Sequence, residues 1–191
     1  MIMSEFHFLK ENKGGQVFVP SVETYGSSFV LSENNLDCTY SIKINKVPDD
    51  SILIRVDENR FDVQGIFSGN NNCDGICKKG DYILVSHTDK KVIFIELKYG
   101  NKSMAHIKHQ LIGIECIWKY ICALVSYYYK TDSWKKCSPF DDYELCYFSI
   151  KQIGKGNLKL PDRHKKRVKT SLDTIGIISR QNEISYREIS Y

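Results

Sequence analysis

Asp81, Glu96 and Lys98 are the residues of this chain whose types and spacing could act together in chemistry. Tyr82 to Ser86 (YILVS) reads as a strand, His87 to Lys90 (HTDK) as a polar turn, and Val92 to Lys98 (VIFIELK) as a second strand. Side chains alternate across a strand, so Val92, Phe94, Glu96 and Lys98 share one face while Ile93, Ile95 and Leu97 take the other. Glu96 and Lys98 are then neighbours about 7 Å apart along the strand. With Thr88 and Asp89 centring the turn, Ser86 pairs with Lys91. The same antiparallel register carries Asp81 opposite Glu96, with Cβ atoms about 5 Å apart. A slip of one residue would send these groups to opposite faces, so the whole arrangement depends on that register.

Two carboxylates at this separation repel each other, and a hard divalent cation bound by oxygens neutralises them well. Magnesium is the expected ion, with manganese as a substitute. Magnesium keeps several of its waters, one of which can serve as a nucleophile. Lys98 would sit beside that water and a phosphate, placed to orient or deprotonate the water or to stabilise charge on a phosphorane. The backbone carbonyl of Leu97 is a candidate third protein ligand. This is the equipment for metal-assisted phosphodiester hydrolysis.

The elements around the hairpin set its context. A long helix is expected over residues 103–125, because Ile107, Leu111, Ile114, Trp118, Ile121 and Val125 recur at steps of four and three and so line one face. Lys108, Glu115 and Lys119 lie roughly opposite, Glu115 and Lys119 form a favourable i,i+4 pair, and Ser103 suits the N-cap. Further strands are expected at 17–19, 28–31, 41–44, 52–56, 61–67 and 143–150, with a last short element at 175–179. Residues 68–80 read as a Gly- and Asn-rich loop, and 154–170 as basic and turn-like. There is no internal repeat.

Asp81, then fourteen residues, then Glu96-Leu97-Lys98 at the end of an apolar strand, then a long helix: this pattern resembles the PD-(D/E)XK nuclease superfamily over about residues 52–150. That superfamily includes many restriction enzymes, Holliday junction resolvases and recombination exonucleases, and its core runs α-β-β-β-α-β. The resemblance implies Asp81 and Glu96 as metal ligands and Lys98 as the catalytic lysine. Some members add a glutamine on the following helix, and Gln110 is similar. Gly80 stands where the superfamily's name has Pro. The first helix of the core is not visible in residues 1–50, where Glu23 and Glu33 are the nearest acids. The expected fold is therefore α/β, a restriction-endonuclease-like core with a mixed central sheet flanked by helices. Residues 1–50 form a β-rich N-terminal elaboration, residues 52–150 the nuclease-like core and residues 151–191 a basic C-terminal segment, all within one domain.

The remaining composition narrows the function classes. The chain has 191 residues, enough for a core without staples, and is 42% hydrophobic and 26% charged, as in ordinary globular proteins. No apolar run is long enough to span a bilayer, and the start lacks a basic region followed by an apolar stretch, so a cytoplasmic protein without a membrane partner is expected. Seven cysteines, an odd number, read as reduced and buried small hydrophobes. Cys73 and Cys77 have the spacing of half a zinc site, but no second pair follows. His106 and His109 read as helix-flank residues, and His87 as a solvated turn residue. Tyr127 to Tyr129 read as packing at a helix end, although such rings can stack on bases.

The net charge is +4, and residues 155–169 concentrate it, with Arg163, Lys165, Lys166, Arg167 and Lys169 densest. Such a run either neutralises phosphates or forms a solvated basic loop. The reading is a Mg²⁺-dependent nuclease acting on nucleic acid, DNA ahead of RNA, alone, as a homodimer or with a partner protein. Two alternatives stand beside it. One is a catalytically silent module of the same fold that binds nucleic acid or a protein. The other is a bacterial defence effector that a partner activates.

Overall fold

A computed structural model describes residues 28–35, 38–56, 78–99, 103–128, 140–152, 169–180 and 182–190. The chain is α/β, built on a five-stranded sheet, a three-stranded sheet and one long helix among the described residues. The elements, in chain order, are β1 (Ser28–Asn35), β2 (Cys38–Asn45), β3 (Ile52–Arg55), β4 (Tyr82–Ser86), β5 (Lys91–Tyr99), α1 (Met104–Tyr128), β6 (Glu144–Gln152), β7 (Gly176–Arg180) and β8 (Glu183–Ser185). A 3-10 turn, Tyr186–Glu188, follows. The expected strands at 17–19 and 61–67, and the Cys73–Cys77 pair, lie outside the described residues.

The central sheet has the order β3-β4-β5-β6-β7. β3, β4 and β5 are antiparallel neighbours; β6 runs parallel to β5 and β7 parallel to β6. A parallel neighbour needs a crossover, and α1 supplies it between β5 and β6. The hairpin register is the expected one: Ser86 pairs with Lys91, Val85 with Val92 and Tyr82 with Ile95. The loop is His87 to Lys90, closed by the Lys90 N–H on the His87 carbonyl at 3.3 Å, with Lys90 in the left-handed region at φ 50°. Four-residue hairpin loops are a common solution, and this one needs no glycine.

Each face of the central sheet has its own cover. On one face, Ile83, Val85, Val92 and Phe94 pack against Ile107, Leu111, Ile114, Trp118, Ile121 and Val125 of α1. On the other, Leu84, Ile93, Ile95, Leu97 and Phe148 pack against Phe29, Leu31, Ile42, Ile44 and Ile184 of the second sheet. The expected sheet flanked by helices is thus covered by a helix on one side and by β1-β2-β8 on the other. With apolar layers on both faces, the central strands read as near-continuous apolar runs. Within residues 1–50, β1 and β2 form a hairpin in which β1 runs through the Asn34-Asn35 pair, expected as a strand end. β8 completes its sheet, parallel to β2. That strand escaped the sequence because it has three residues, of which only Ile184 is buried, and its pairing is non-local.

Helix α1 begins as the sequence indicates. The Ser103 hydroxyl accepts the His106 N–H at 3.3 Å, and its carbonyl accepts the Ile107 N–H at 3.2 Å. The Glu115–Lys119 pair closes at 2.7 Å. Cys146 is buried and Cys122 partly so, but Cys116 is exposed, since it falls on the outer face of the helix. Tyr127 is 71% exposed rather than packed, because it lies off the stripe that ends at Val125.

Gly113 sets the distance between α1 and the lead into β4. A Cβ there would come within 1.8 Å of the Lys78 carbonyl oxygen, which is backbone and cannot swing aside. Alanine would gain about 1 kcal/mol in helix propensity. Overpacking against a fixed backbone outweighs that gain. Gly113→Ala is expected to destabilise the protein by about 1–3 kcal/mol in denaturant titration; a more stable variant would show that the helix does not press on this segment.

Candidate active site

The site lies at the end of β5, on the face that α1 covers. The apolar sequence Val92, Phe94 on that face gives way to Glu96 and Lys98. The paired ladder ends at Tyr82–Ile95, and Asp81, just before it, lies close enough to Glu96 for its charge to act there. Its backbone is tied on both sides: its N–H donates to the Ile95 carbonyl at 3.3 Å, and its carbonyl accepts the Val56 N–H at 2.8 Å. Its carboxylate Oδ2 accepts the Leu97 N–H at 2.6 Å. That bond pins the acid across the two strands. In an extended strand a residue's N–H and C=O leave on the same edge, so the Leu97 carbonyl emerges on the Asp81 side as well.

The three groups are nearly closed off from water. Glu96 is 0% exposed, Lys98 6% and Asp81 8%. Lys98 Nζ forms an ion pair with Glu96 Oε1. Glu96 Oε2 takes no hydrogen bond from any described residue. Gly80 leaves room for that oxygen, since a Cβ there would lie 3.1 Å from it and 3.4 Å from the Gln110 carbonyl. Burial and then the charge of Asp81 push the Glu96 carboxyl well above the ordinary carboxylate range, against the opposing pull of Lys98.

A second acid stands within electrostatic reach. Glu33, on β1, adds to the repulsion at Glu96, and it accepts a hydrogen bond from Tyr40. Burial first, and then Glu33, raise the Tyr40 hydroxyl, so it stays a donor. Tyr82 joins the two sheets next to the site: its hydroxyl donates to the Ser32 carbonyl at 2.7 Å and accepts the Ser32 N–H at 2.9 Å. Glu23 lies outside the described residues.

The other candidates sort by position. Gln110 is half-buried on the first turns of α1, and its Oε1 is buried without a hydrogen-bond partner. Its backbone borders Gly80, which places it on the rim of the Glu96 carboxylate. Arg163, Lys165, Lys166 and Arg167 lie outside the described residues. Lys169 is described, and it pairs with Glu144 at 3.0 Å. Glu144 is the ladder partner of Lys91, at the turn end of β5, about 23 Å along the strand from Lys98. The structure therefore does not bring Lys169 to the triad.

Of the histidines, His87 differs from its expected setting. His87 is not a solvated turn residue: it sits half-buried against Phe140 and Tyr143, with Nδ1 2.7 Å from the Tyr143 hydroxyl, and burial lowers its pKa. His106 lies 3.5 Å from Lys78 Nζ, and His109 is exposed. Ser149 and Lys151 are neighbours that sequence reasoning missed. They are the β6 partners of Glu96 and Lys98. Only the parallel pairing across the α1 crossover reveals them.

The donor set fits a hard divalent cation. Asp81, Glu96 and the Leu97 carbonyl are all oxygen donors, Glu96 Oε2 is free to accept, and the like charges need neutralising. Among the described residues no group of three His, Cys, Asp or Glu side chains converges.

The raised Glu96 carboxyl has a consequence for stability. Its folded pKa exceeds its unfolded one, so the folded state holds the extra proton from the ordinary carboxylate range upward. Its contribution to stability therefore falls as pH rises through that window. In chelator, Glu96→Gln is expected to lack this fall, so the difference in Tm between variant and native protein moves in the variant's favour from pH 4 to pH 8. A constant difference across that range would contradict the burial and repulsion described above. Beyond this geometry, no known protein family, curated protein or solved structure matches the chain.

Proposed function

We propose that the protein is a divalent-metal-dependent nuclease of the PD-(D/E)XK type that hydrolyses phosphodiester bonds, DNA ahead of RNA as substrate. One observation carries the reading: Asp81, Glu96 and Lys98 are all buried at the end of the β4-β5 hairpin, with Lys98 paired to Glu96 and the Asp81 carboxylate held by the Leu97 N–H. The order β3-β4-β5-α1-β6, an antiparallel meander followed by a helix and a parallel strand, supports the restriction-endonuclease-like assignment. A structural role alone fits poorly. Apolar residues of similar volume in place of buried ionic groups are often neutral or stabilising.

Each group has a distinct task in this reading. Asp81, Glu96 and the Leu97 carbonyl hold the cation, which supplies positive charge and a water of lowered pKa. The Leu97 N–H fixes the Asp81 carboxylate in the orientation that faces Glu96. Lys98 answers the Glu96 charge while the site is empty of substrate. Facing a phosphate, it donates to a non-bridging oxygen and stabilises the charge that builds as water attacks phosphorus and the bond to the leaving sugar oxygen breaks. Gln110, on the rim, is placed to hydrogen-bond the attacking water or the phosphate. In a site closed to bulk water these interactions are stronger than on an open surface.

The double variant Glu96→Ala with Lys98→Ala is expected to lose magnesium-dependent cleavage of plasmid and single-stranded DNA by at least about 10³-fold, the scale seen when charge-stabilising groups are removed. Retained magnesium-dependent cleavage in a clean preparation would sink the assignment. Asp81→Asn separates catalysis from binding alone. A nuclease loses cleavage and responds differently to Mg²⁺ and Mn²⁺, whereas a binding module shows no cleavage and keeps its affinity.

The near closure of the triad favours one second reading, that of an effector nuclease which a partner opens. Glu96 has no exposed surface, and Asp81 and Lys98 keep only slivers. On that reading the purified protein cleaves slowly, and limited opening by mild urea or by the partner raises the rate.

A further inference from the structure

The ladder extends the site sideways onto β6. Ser149 is the parallel partner of Glu96, and Lys151 is the partner of Lys98. Ladder partners project to the same face, with strands about 4.8 Å apart. The alternate residues Cys146, Phe148 and Ile150 lie in the core between the two sheets. Ser149 and Lys151 therefore share the face of Glu96 and Lys98, under the start of the α1 crossover.

Both are donors without an acceptor. Ser149 is 0% exposed, and its Oγ has no hydrogen-bond partner among the described residues. Nothing apolar is gained by a serine in that place, and a buried hydroxyl left unpaired is a cost. Lys151 is half-buried, and no described carboxylate pairs with it. This contrasts with Lys90, Lys91, Lys108, Lys119 and Lys169, each of which meets an acid. Idle donors beside two carboxylates point to a ligand that brings its own negative oxygens. A phosphate group does this, and it also fits the cation that the carboxylates call for.

We propose that β6 supplies the anion-binding half of the site: Lys151 takes a non-bridging oxygen of a nucleic-acid phosphate, and the Ser149 hydroxyl donates to the same group from within the sheet. The identity of the ligand as a phosphodiester rests on the nuclease reading, while the donor pair itself rests on the β5–β6 register. A lysine paired with a phosphate releases counterions when it binds, so it leaves a mark on salt dependence that a packing residue does not.

The test uses a short fluorescently labelled DNA duplex, with Ca²⁺ in place of Mg²⁺, titrated over a range of salt. Lys151→Gln is expected to weaken binding about tenfold, as for loss of a charged hydrogen bond, and to lower the slope of log Kd against log salt by about 0.9. Lys151→Arg keeps the charge and should keep the slope. Ser149→Ala removes an unpaired hydroxyl, so its Tm should equal or exceed the native value while its affinity falls about threefold. Lys43→Gln, an exposed lysine on β2, serves as the control and should bind as the native protein does.

The outcomes separate the two claims. Native affinity and native salt slope in Lys151→Gln overturn the inference, even if the Glu96 and Lys98 variants lose cleavage and the nuclease reading stands. Binding without Mg²⁺-dependent cleavage, with the slope lost in Lys151→Gln, overturns a nuclease that acts unaided and keeps the anion site. A native protein that binds no duplex overturns both.

Discussion

Two carboxyl groups, Asp81 and Glu96, lie buried at the end of the hairpin, and the charge of Asp81 acts on Glu96. The rest of the site answers that repulsion. At an effective dielectric of about 20, two unit charges at close range repel by about 4 kcal/mol, a large fraction of the stability of a small domain. The chain meets the cost in three ways. Lys98 places a positive charge on Glu96. The Leu97 N–H stabilises the Asp81 carboxylate. The Glu96 carboxyl binds its proton more tightly than an exposed one would. Glu33 adds to the same negative region from the other sheet.

The layers hold this arrangement still. A hairpin on its own is marginally stable and could slip by a residue, turning Asp81 and Glu96 to opposite faces. Slippage here would bury Glu96 and Lys98 among Leu31, Ile42 and Ile44 and expose Ile95 and Leu97 to the helix side, so the two apolar layers fix the register. Tyr82 adds a polar lock, since its hydroxyl both donates to and accepts from the Ser32 backbone across the sheets. Gly80 and Gly113 let α1 approach the lead into β4 closely, so that a Cβ at Gly80 would touch Glu96, Gln110 and Ile114, and one at Gly113 would meet the Lys78 backbone. Precision in the site is therefore a property of the packing on both sides of it.

The sequence made the hairpin legible because its signals are local. The alternation in VIFIELK, the four-residue HTDK turn and the periodicity of α1 each sit within one window, and the structure reproduces all three. The register followed from turn length alone. What stayed hidden depends on chain-distant neighbours. Ser149 and Lys151 join the site only through parallel pairing with β5, and Glu33 only because β1 packs on the far face. His87 was misread for the same reason, since Phe140 and Tyr143, which cover it, come from beyond the helix. Lys169 belongs to the basic run, yet it ends beside Glu144 at the far end of the sheet.

The pattern of the helix-facing side shows where the chain gives up stability. Along β4 and β5 that face runs Ile83, Val85, Val92, Phe94, all at 0% exposure, and a Val or Leu at positions 96 and 98 would extend it without repulsion or desolvation. Instead the last positions carry Glu96 and Lys98, with Ser149 and Lys151 beside them. The break comes at the carboxyl ends of two parallel strands, next to the start of α1. Open α/β sheets place ligands at that edge, because strand ends and helix starts leave polar backbone and diverging loops there. Buried polar side chains along these strands gather at this edge, with Ser86 at the turn end of β4 the exception. A sheet that needed only to fold would have no reason to concentrate them so. On the proposed nuclease reading that cost is the one a preorganised site carries, its charges set in place before the ligand arrives.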